Sequence, residues 1–382
     1  MTIAPILPAT PGKIPLSQYK PLSNVELAAR IEAGRKQLGK RLLILGHHYQ
    51  QDEVIEHADL RGDSYQLSQL AAASNDCRTI IFCGVHFMAE TADILANRPD
   101  KLAERDGRRV DVILPDLAAG CSMADMAAIR QVEDAWDQLG EVIDNERLIP
   151  VTYINSAASL KAFCGRHGGI VCTSSNAAAV IRWAFERGER VFFFPDQHLG
   201  RNTALKMGIT NAQMPVWDPY AEDLGGHSPQ AITASKVILW KGHCSVHQMF
   251  RPEHVHQFRQ KYPDIKILVH PECPQDVNDI ADVSGSTSTI LKTVEQAPPG
   301  TQWAIGTELH LVNRIKQAHP EQEVHFLSPV VCMCATMYRI DLAHLAWSIE
   351  NLLEGVVVNQ ISVDPVTARY SLVALQRMLE VK

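Results

Sequence analysis

Short runs of β-branched and aliphatic residues, bounded by glycine, proline or polar turns, alternate along the chain with longer stretches rich in alanine and leucine. This alternation predicts parallel α/β units: a strand buried on both faces reads as a continuous apolar run, and the helix that connects two such strands keeps a polar side. The runs fall into three groups of three. The first group is Arg41–Gly46, Thr79–Cys83 and Val110–Pro115; the second is Pro150–Ile154, Arg190–Phe194 and Lys236–Trp240; the third is Lys266–His270, Gln302–Gly306 and Val324–Leu327.

The residues after equivalent strands are also alike. Each first strand leads into a histidine or tyrosine and, two residues on, another polar or aromatic residue: His47 and Tyr49, Tyr153 and Asn155, His270 and Glu272. A hydroxyl cluster at an expected helix start comes next, at Asp63-Ser64, Thr173-Ser174-Ser175 and Ser286-Thr287. Just beyond each third strand lies a cysteine: Cys121, Cys244, and either Cys334 or Cys332. The repeat predicts three αβα domains in a pseudo-threefold arrangement, each with a small parallel sheet, over residues 22–122, 123–244 and 245–345, followed by a helical extension over 346–382. In parallel sheets ligands bind outside the carboxyl ends of the strands. All of these signals occupy that edge, so sheets facing a common axis would form one interdomain site.

Composition narrows the class. At 382 residues, with 46% hydrophobic and 21% charged residues, the chain suits two or three globular domains. No stretch approaches the roughly 20 apolar residues of a membrane span, and the opening MTIAPILPATPGKIP shows no basic start followed by an apolar run, which predicts a cytoplasmic protein. Acidic residues outnumber basic ones by 43 to 36, with no Lys/Arg block to meet nucleic acid. Nine scattered cysteines argue against a disulfide framework. A buried filler is the default for each thiol, so their equivalent places in the repeat are what mark Cys121, Cys244 and Cys334 (or Cys332) as candidate metal ligands. Helix capping alone explains any one hydroxyl cluster, but three in register favour a substrate carrying several carboxylates or a phosphate. Glu272 is a candidate general base, with His270 beside it and His247 in a loop near a strand end.

The segments HPECPQDVNDIADVSGSTSTI, GTELHLVNRI, CATM, HHYQ with GDSYQLS, TYINSAASLKA with CTSSNA, PDQHLGRN and WKGHCSVH resemble the quinolinate synthase family, from about residue 40 to about residue 345. The resemblance implies an enzyme of NAD biosynthesis that condenses iminoaspartate with dihydroxyacetone phosphate, releasing phosphate and water, on a [4Fe–4S] cluster held by three cysteines. It selects Cys121, Cys244 and Cys334, the last because Cys334-Ala-Thr-Met337 fits the family's C-x-x-M, and it leaves Cys332 as a spectator or a redox partner of Cys334. Three thiolates leave one iron open to act as a Lewis acid. By the same resemblance Glu272, His270, Tyr49 and His47 are catalytic, and Ser64, Tyr153, Asn155, Ser174, His247, Ser286 and Thr287 bind substrate. An L-aspartate oxidase, in transient contact, would supply the imine. Two other readings stay open: another iron–sulfur hydro-lyase or aldolase acting on a dicarboxylate, and a non-catalytic iron–sulfur sensor.

Overall fold

The computed structural model describes residues 14–73, 76–331 and 333–381; Cys332 lies outside them. The chain divides into two compact units. Unit one gathers Met1–Cys121 and Cys334–Asp364, and unit two gathers Ser122–Met333 and Pro365–Lys382.

Every apolar run forms a strand, within two residues of its expected bounds at either end. Unit one carries Leu42–His47 (β1), Leu60–Gly62 (β2), Thr79–Cys83 (β3) and Asp111–Ile113 (β4). Unit two carries Leu148–Tyr153 (β5), Ile170–Cys172 (β6), Arg190–Phe194 (β7), Val216–Trp217 (β8) and Val237–Trp240 (β9), then Lys266–Val269 (β10), Val283–Ser284 (β11), Gln302–Gly306 (β12) and Glu323–Phe326 (β13). The strands form three sheets that share one order: β2-β1-β3-β4, β6-β5-β7-β9 and β11-β10-β12-β13, all parallel. The protein is therefore α/β, with three small, mostly parallel sheets. β8 extends the second sheet in parallel, and Gln360–Ile361 (β14) adds an antiparallel edge to β4 in the first.

The register repeats as well as the order. Gly46, Thr152 and Val269 pair with Cys83, Phe194 and Gly306, the last residues of β3, β7 and β12. His47, Tyr153 and His270 are then the next residues outward in their sheets. The second strand of each sheet, too short to stand out as an apolar run, ends just before the hydroxyl clusters: β2 before Asp63-Ser64, β6 before Thr173-Ser174, and β11 one glycine before Ser286-Thr287. Each cluster thus comes directly after the strand that pairs with its first strand, at the edge where ligands bind.

Continuous apolar runs are tolerated in these strands because helices cover the sheets. In the third sheet Ile267, Val269 and Ala304 pack with Phe250, Val255, Val277 and Leu327 in one fully buried cluster, and each large aliphatic side chain so buried contributes about 1.5–3 kcal/mol. In unit two the last helix, Pro365–Glu380, lies on the helix Ala158–Arg166, with Ser371 Oγ donating to the Ala158 carbonyl at 2.7 Å. The two backbones approach so closely that a Cβ on Gly165 would strike the carbonyl of Tyr370. Backbone on both sides leaves little room to yield, so Gly165→Ala is expected to cost about 1–3 kcal/mol, read as a lowered urea midpoint with unchanged slope. An unchanged midpoint would show that the contact is loose. No helix among the described residues is long and apolar enough to cross a membrane.

Candidate active site

In unit one, β1 ends on buried His47, whose Nδ1 accepts the Tyr49 N–H at 3.1 Å. The two rings meet edge to face with centroids 4.8 Å apart, which fixes the half-buried Tyr49 beside the strand end. Two further ties converge on the loops that carry Cys121 and Cys334. Gln51 Nε2 donates to the carbonyls of Tyr338 and Ile340 at 3.0 and 2.8 Å, and Arg339 Nε meets Asp116 Oδ2 at 2.8 Å. The Asp116–Cys121 turn is held in addition by the His86 N–H on the Ala119 carbonyl at 2.8 Å. Cys334 sits at the start of its own turn, its Sγ 3.4 Å from Thr336 Oγ1. Ser64 opens the helix Ser64–Ala73, while the preceding Asp63 caps it, accepting the Gln66 N–H at 2.9 Å.

Unit two gathers a denser set of groups. His270, Glu272 and Thr307 come after β10 and β12, Tyr153 closes β5, and His247 lies in a short turn after β9. His247 Nδ1 stands 2.9 Å from Glu272 Oε2 and its Nε2 stands 3.1 Å from Thr307 Oγ1. An ionised carboxylate can only accept, so Nδ1 carries the proton toward Glu272. The His270 ring stacks on His247 at 4.6 Å, and its Nδ1 is 3.9 Å from Glu272 Oε1. Tyr153 donates its phenol to the same carboxylate. Donor atoms of Cys244, His247 and Glu272 all lie within 4.8 Å of one another, a thiol, imidazole and carboxylate close enough to share a metal ion.

The other binding candidates occupy the neighbouring strand ends. Ser286 is buried and caps the helix Thr287–Glu295, its Oγ accepting the Thr289 N–H at 3.3 Å, with Thr287 buried beside it. Half-buried Ser174 lies in the turn that precedes the helix Ala177–Phe185, a turn closed by Asn176 Oδ1 on the Thr173 N–H at 2.7 Å. Half-buried Asn155 lies two residues beyond Tyr153. Thr307 and Asp196 were not among the sequence candidates. Thr307 comes straight after β12 and Asp196 two residues after β7, at the edge where the others sit, and that position is the signal that could have found them. Asp196 is fully buried, caps the helix Gln197–Lys206 through the Leu199 N–H at 2.6 Å, and burial together with nearby Glu272 pushes its carboxyl well above the usual range.

Burial acts on Glu272 and His270 in opposite ways. Desolvation alone would raise the Glu272 carboxyl, but His247 and His270 and the hydrogen bonds from His247 and Tyr153 outweigh it and hold the group at about 2. Desolvation lowers His270 to about 3, only partly offset by Glu272. Free imidazole titrates near 6.5. Below that pH the unfolded chain takes up a proton that folded His270 refuses, so its contribution is complete above about pH 6.5 and is lost as the pH falls toward 3. His270→Gln is therefore expected to flatten the drop in urea midpoint between pH 7 and pH 5. Parallel drops in wild type and variant would remove His270 from the acid response.

The cysteines divide by exposure. Among the eight described, Cys77, Cys83, Cys164, Cys172 and Cys273 are buried, and Cys121, Cys244 and Cys334 are half-buried. Burial pushes the Cys83 thiol up to about 12 and raises Cys164, Cys172 and Cys273 as well. Burial thus favours the protonated thiol at these four positions, as expected of cysteines that fill a core.

Three parallel sheets with polar strand ends, and a carboxylate, two imidazoles and a thiol drawn together at those ends, define an α/β enzyme with a site able to hold metal. The model of the family described as NadA, quinolinate synthetase A protein, matches residues 29–380. The chain belongs to that family. It is 74% identical to the quinolinate synthase of Rhodopirellula baltica over 96% of this chain and 94% of that protein. It is 52% identical to those of a Nocardioides species, over 97% and 91%, and of Geobacillus thermodenitrificans, over 95% and 95%.

Proposed function

We propose that the chain is a quinolinate synthase that condenses iminoaspartate with dihydroxyacetone phosphate to give quinolinate, inorganic phosphate and two waters, in NAD biosynthesis, and that Cys121, Cys244 and Cys334 hold a [4Fe–4S] cluster. The observation that carries the ligand assignment is the exposure of the thiols: the three cysteines equivalent in the repeat are the three described ones that are not buried. The donor set around Cys244 is also suited to a metal centre. When bound, a cluster with three thiolate ligands supplies an open iron, a Lewis acid for carbonyl and hydroxyl oxygen.

The chain's own residues do the binding and proton transfer. Ser64, Ser174, Ser286 and Thr287 hold the substrate carboxylates and phosphate, each hydrogen bond to a charged acceptor contributing about 1.5–3 kcal/mol. Tyr49, Tyr153, Asn155 and His47 orient the carbon skeleton. Glu272, ionised at neutral pH, takes protons in the triose isomerisation and the closure of the imine and returns them to the departing hydroxyls. His247 fixes the carboxylate through Oε2. His270, neutral through burial, adds a ring nitrogen without adding charge.

Protein prepared without oxygen and given both substrates is expected to release quinolinate and phosphate in equal amounts, and neither product when dihydroxyacetone phosphate is left out. Full activity in a colourless, iron-free preparation would end this reading. A different product from the dicarboxylate alone would point instead to another hydro-lyase or aldolase.

A further inference from the structure

The segment Pro195–Asn202 stands out in the sequence but takes no part in the proposed chemistry. It leaves β7, turns at Asp196 and forms the first part of the helix Gln197–Lys206, which Asp196 caps. The helix sits tightly on its sheet, since a Cβ on Gly200 would meet Phe193 Cδ1 at 2.7 Å and Leu239 Cδ2 at 2.6 Å. Its next turn presents Asn202, which is buried. Asn202 Nδ2 donates to the carbonyls of Pro271 and Cys273, both at 2.8 Å. These are the two carbonyls flanking Glu272.

The orientation of this amide is fixed by its neighbours. Nδ2 gives both protons to carbonyl oxygens, and the reversed amide would aim Oδ1 at those same oxygens. The cost is visible on the other side, where Oδ1 is buried with no hydrogen-bond partner among the described residues. The Cys273 carbonyl has a second donor in Asn278 Nδ2 at 2.7 Å. The Pro271 carbonyl accepts from Asn202.

We propose that Asn202 is a positioning residue: its carboxamide holds the backbone on both sides of Glu272 and thereby sets the glutamate carboxylate on His247. The inference rests on the proposed role of Glu272 as the proton-transfer group. The strand end after β10 supplies the glutamate, and the helix after β7 sets its angle. Loss of the clamp lets the Pro271–Cys273 turn shift, and a misplacement of about 1 Å can cost about 10²-fold in turnover.

The test is a double-mutant cycle in the full chain with Asn202→Ala and Glu272→Gln, read by kcat, KM and crystal structures. Asn202→Ala is expected to lower kcat by about 10²-fold with KM changed less than about 3-fold, and to open the 2.9 Å separation of His247 Nδ1 and Glu272 Oε2. On the Glu272→Gln background it should cost less than about 3-fold, because both changes act through one carboxylate. Fully multiplicative losses, an unmoved carboxylate, or a rise in KM with kcat intact would each overturn the proposal. If Asn202→Ala does not fold, Asn202→Ser, which retains one hydroxyl donor, takes its place in the same cycle. The crystallographic distance does not depend on which product the enzyme makes, so failure of the clamp and failure of the quinolinate reading give different results.

Discussion

Cys244→Ser, purified without oxygen, is expected to lose most of its iron and its quinolinate formation together, while the urea midpoint of the chain stays close to wild type. Serine is nearly the size of cysteine, and at a half-buried site the exchange leaves little cavity. What changes is the donor, because an alcohol does not ionise in the range where a thiolate forms and it binds iron poorly. The buried thiols supply the control. Cys83 is the fully buried last residue of β3, its thiol pushed up to about 12, so Cys83→Ala should keep the iron count and the activity even where it lowers stability. Iron and sulfide analysis with quinolinate assays on both variants reads the contrast. Iron that survives in Cys244→Ser, or is lost in Cys83→Ala, removes the exposure argument on which the ligand set stands.

Glu272→Gln is expected to keep the iron and lose turnover, with kcat falling by about 10²–10⁴-fold, the range of general acid–base catalysis. Glutamine can still accept from His247 and Tyr153 through its carbonyl oxygen, so the local packing survives, but it has no basic oxygen. The carboxylate is held at about 2, so its own titration lies far below neutrality and the pH profile of kcat/KM should show no acid limb from Glu272 between pH 5 and 8. A variant that retains full turnover would move the proton transfer to another group.

Much of the fold was legible because buried parallel strands announce themselves. Runs such as TIIFC and RVFFF are wholly apolar after their first residue and match Thr79–Cys83 and Arg190–Phe194 residue for residue. The strands that escaped notice are two or three residues long and lie beside the first strands or at sheet edges. Leu60–Gly62 has two exposed residues of three, so no apolar run marks it. Yet these short strands deliver the hydroxyl clusters, which sequence placed at helix starts without seeing why they recur. For the site, the repeat pointed to His270 and Glu272, whereas the Thr307 and Asn202 contacts depend on how separate strand ends and helices pack, which no local pattern encodes. The sequence marks Glu272 as a candidate general base but not the donors around it, which lower its proton affinity in the structure.

β14, at Gln360–Ile361, covers the open side of β4, and it is made long after β4 itself. A ribosome that has finished β4 must synthesise all of Ser122–Met333 before the protecting strand emerges. Through that interval the nascent first sheet exposes a row of unsatisfied amides and carbonyls, the kind of surface that recruits other extended chains. Cells making this enzyme quickly should therefore rely on chaperones to shelter the unfinished edge.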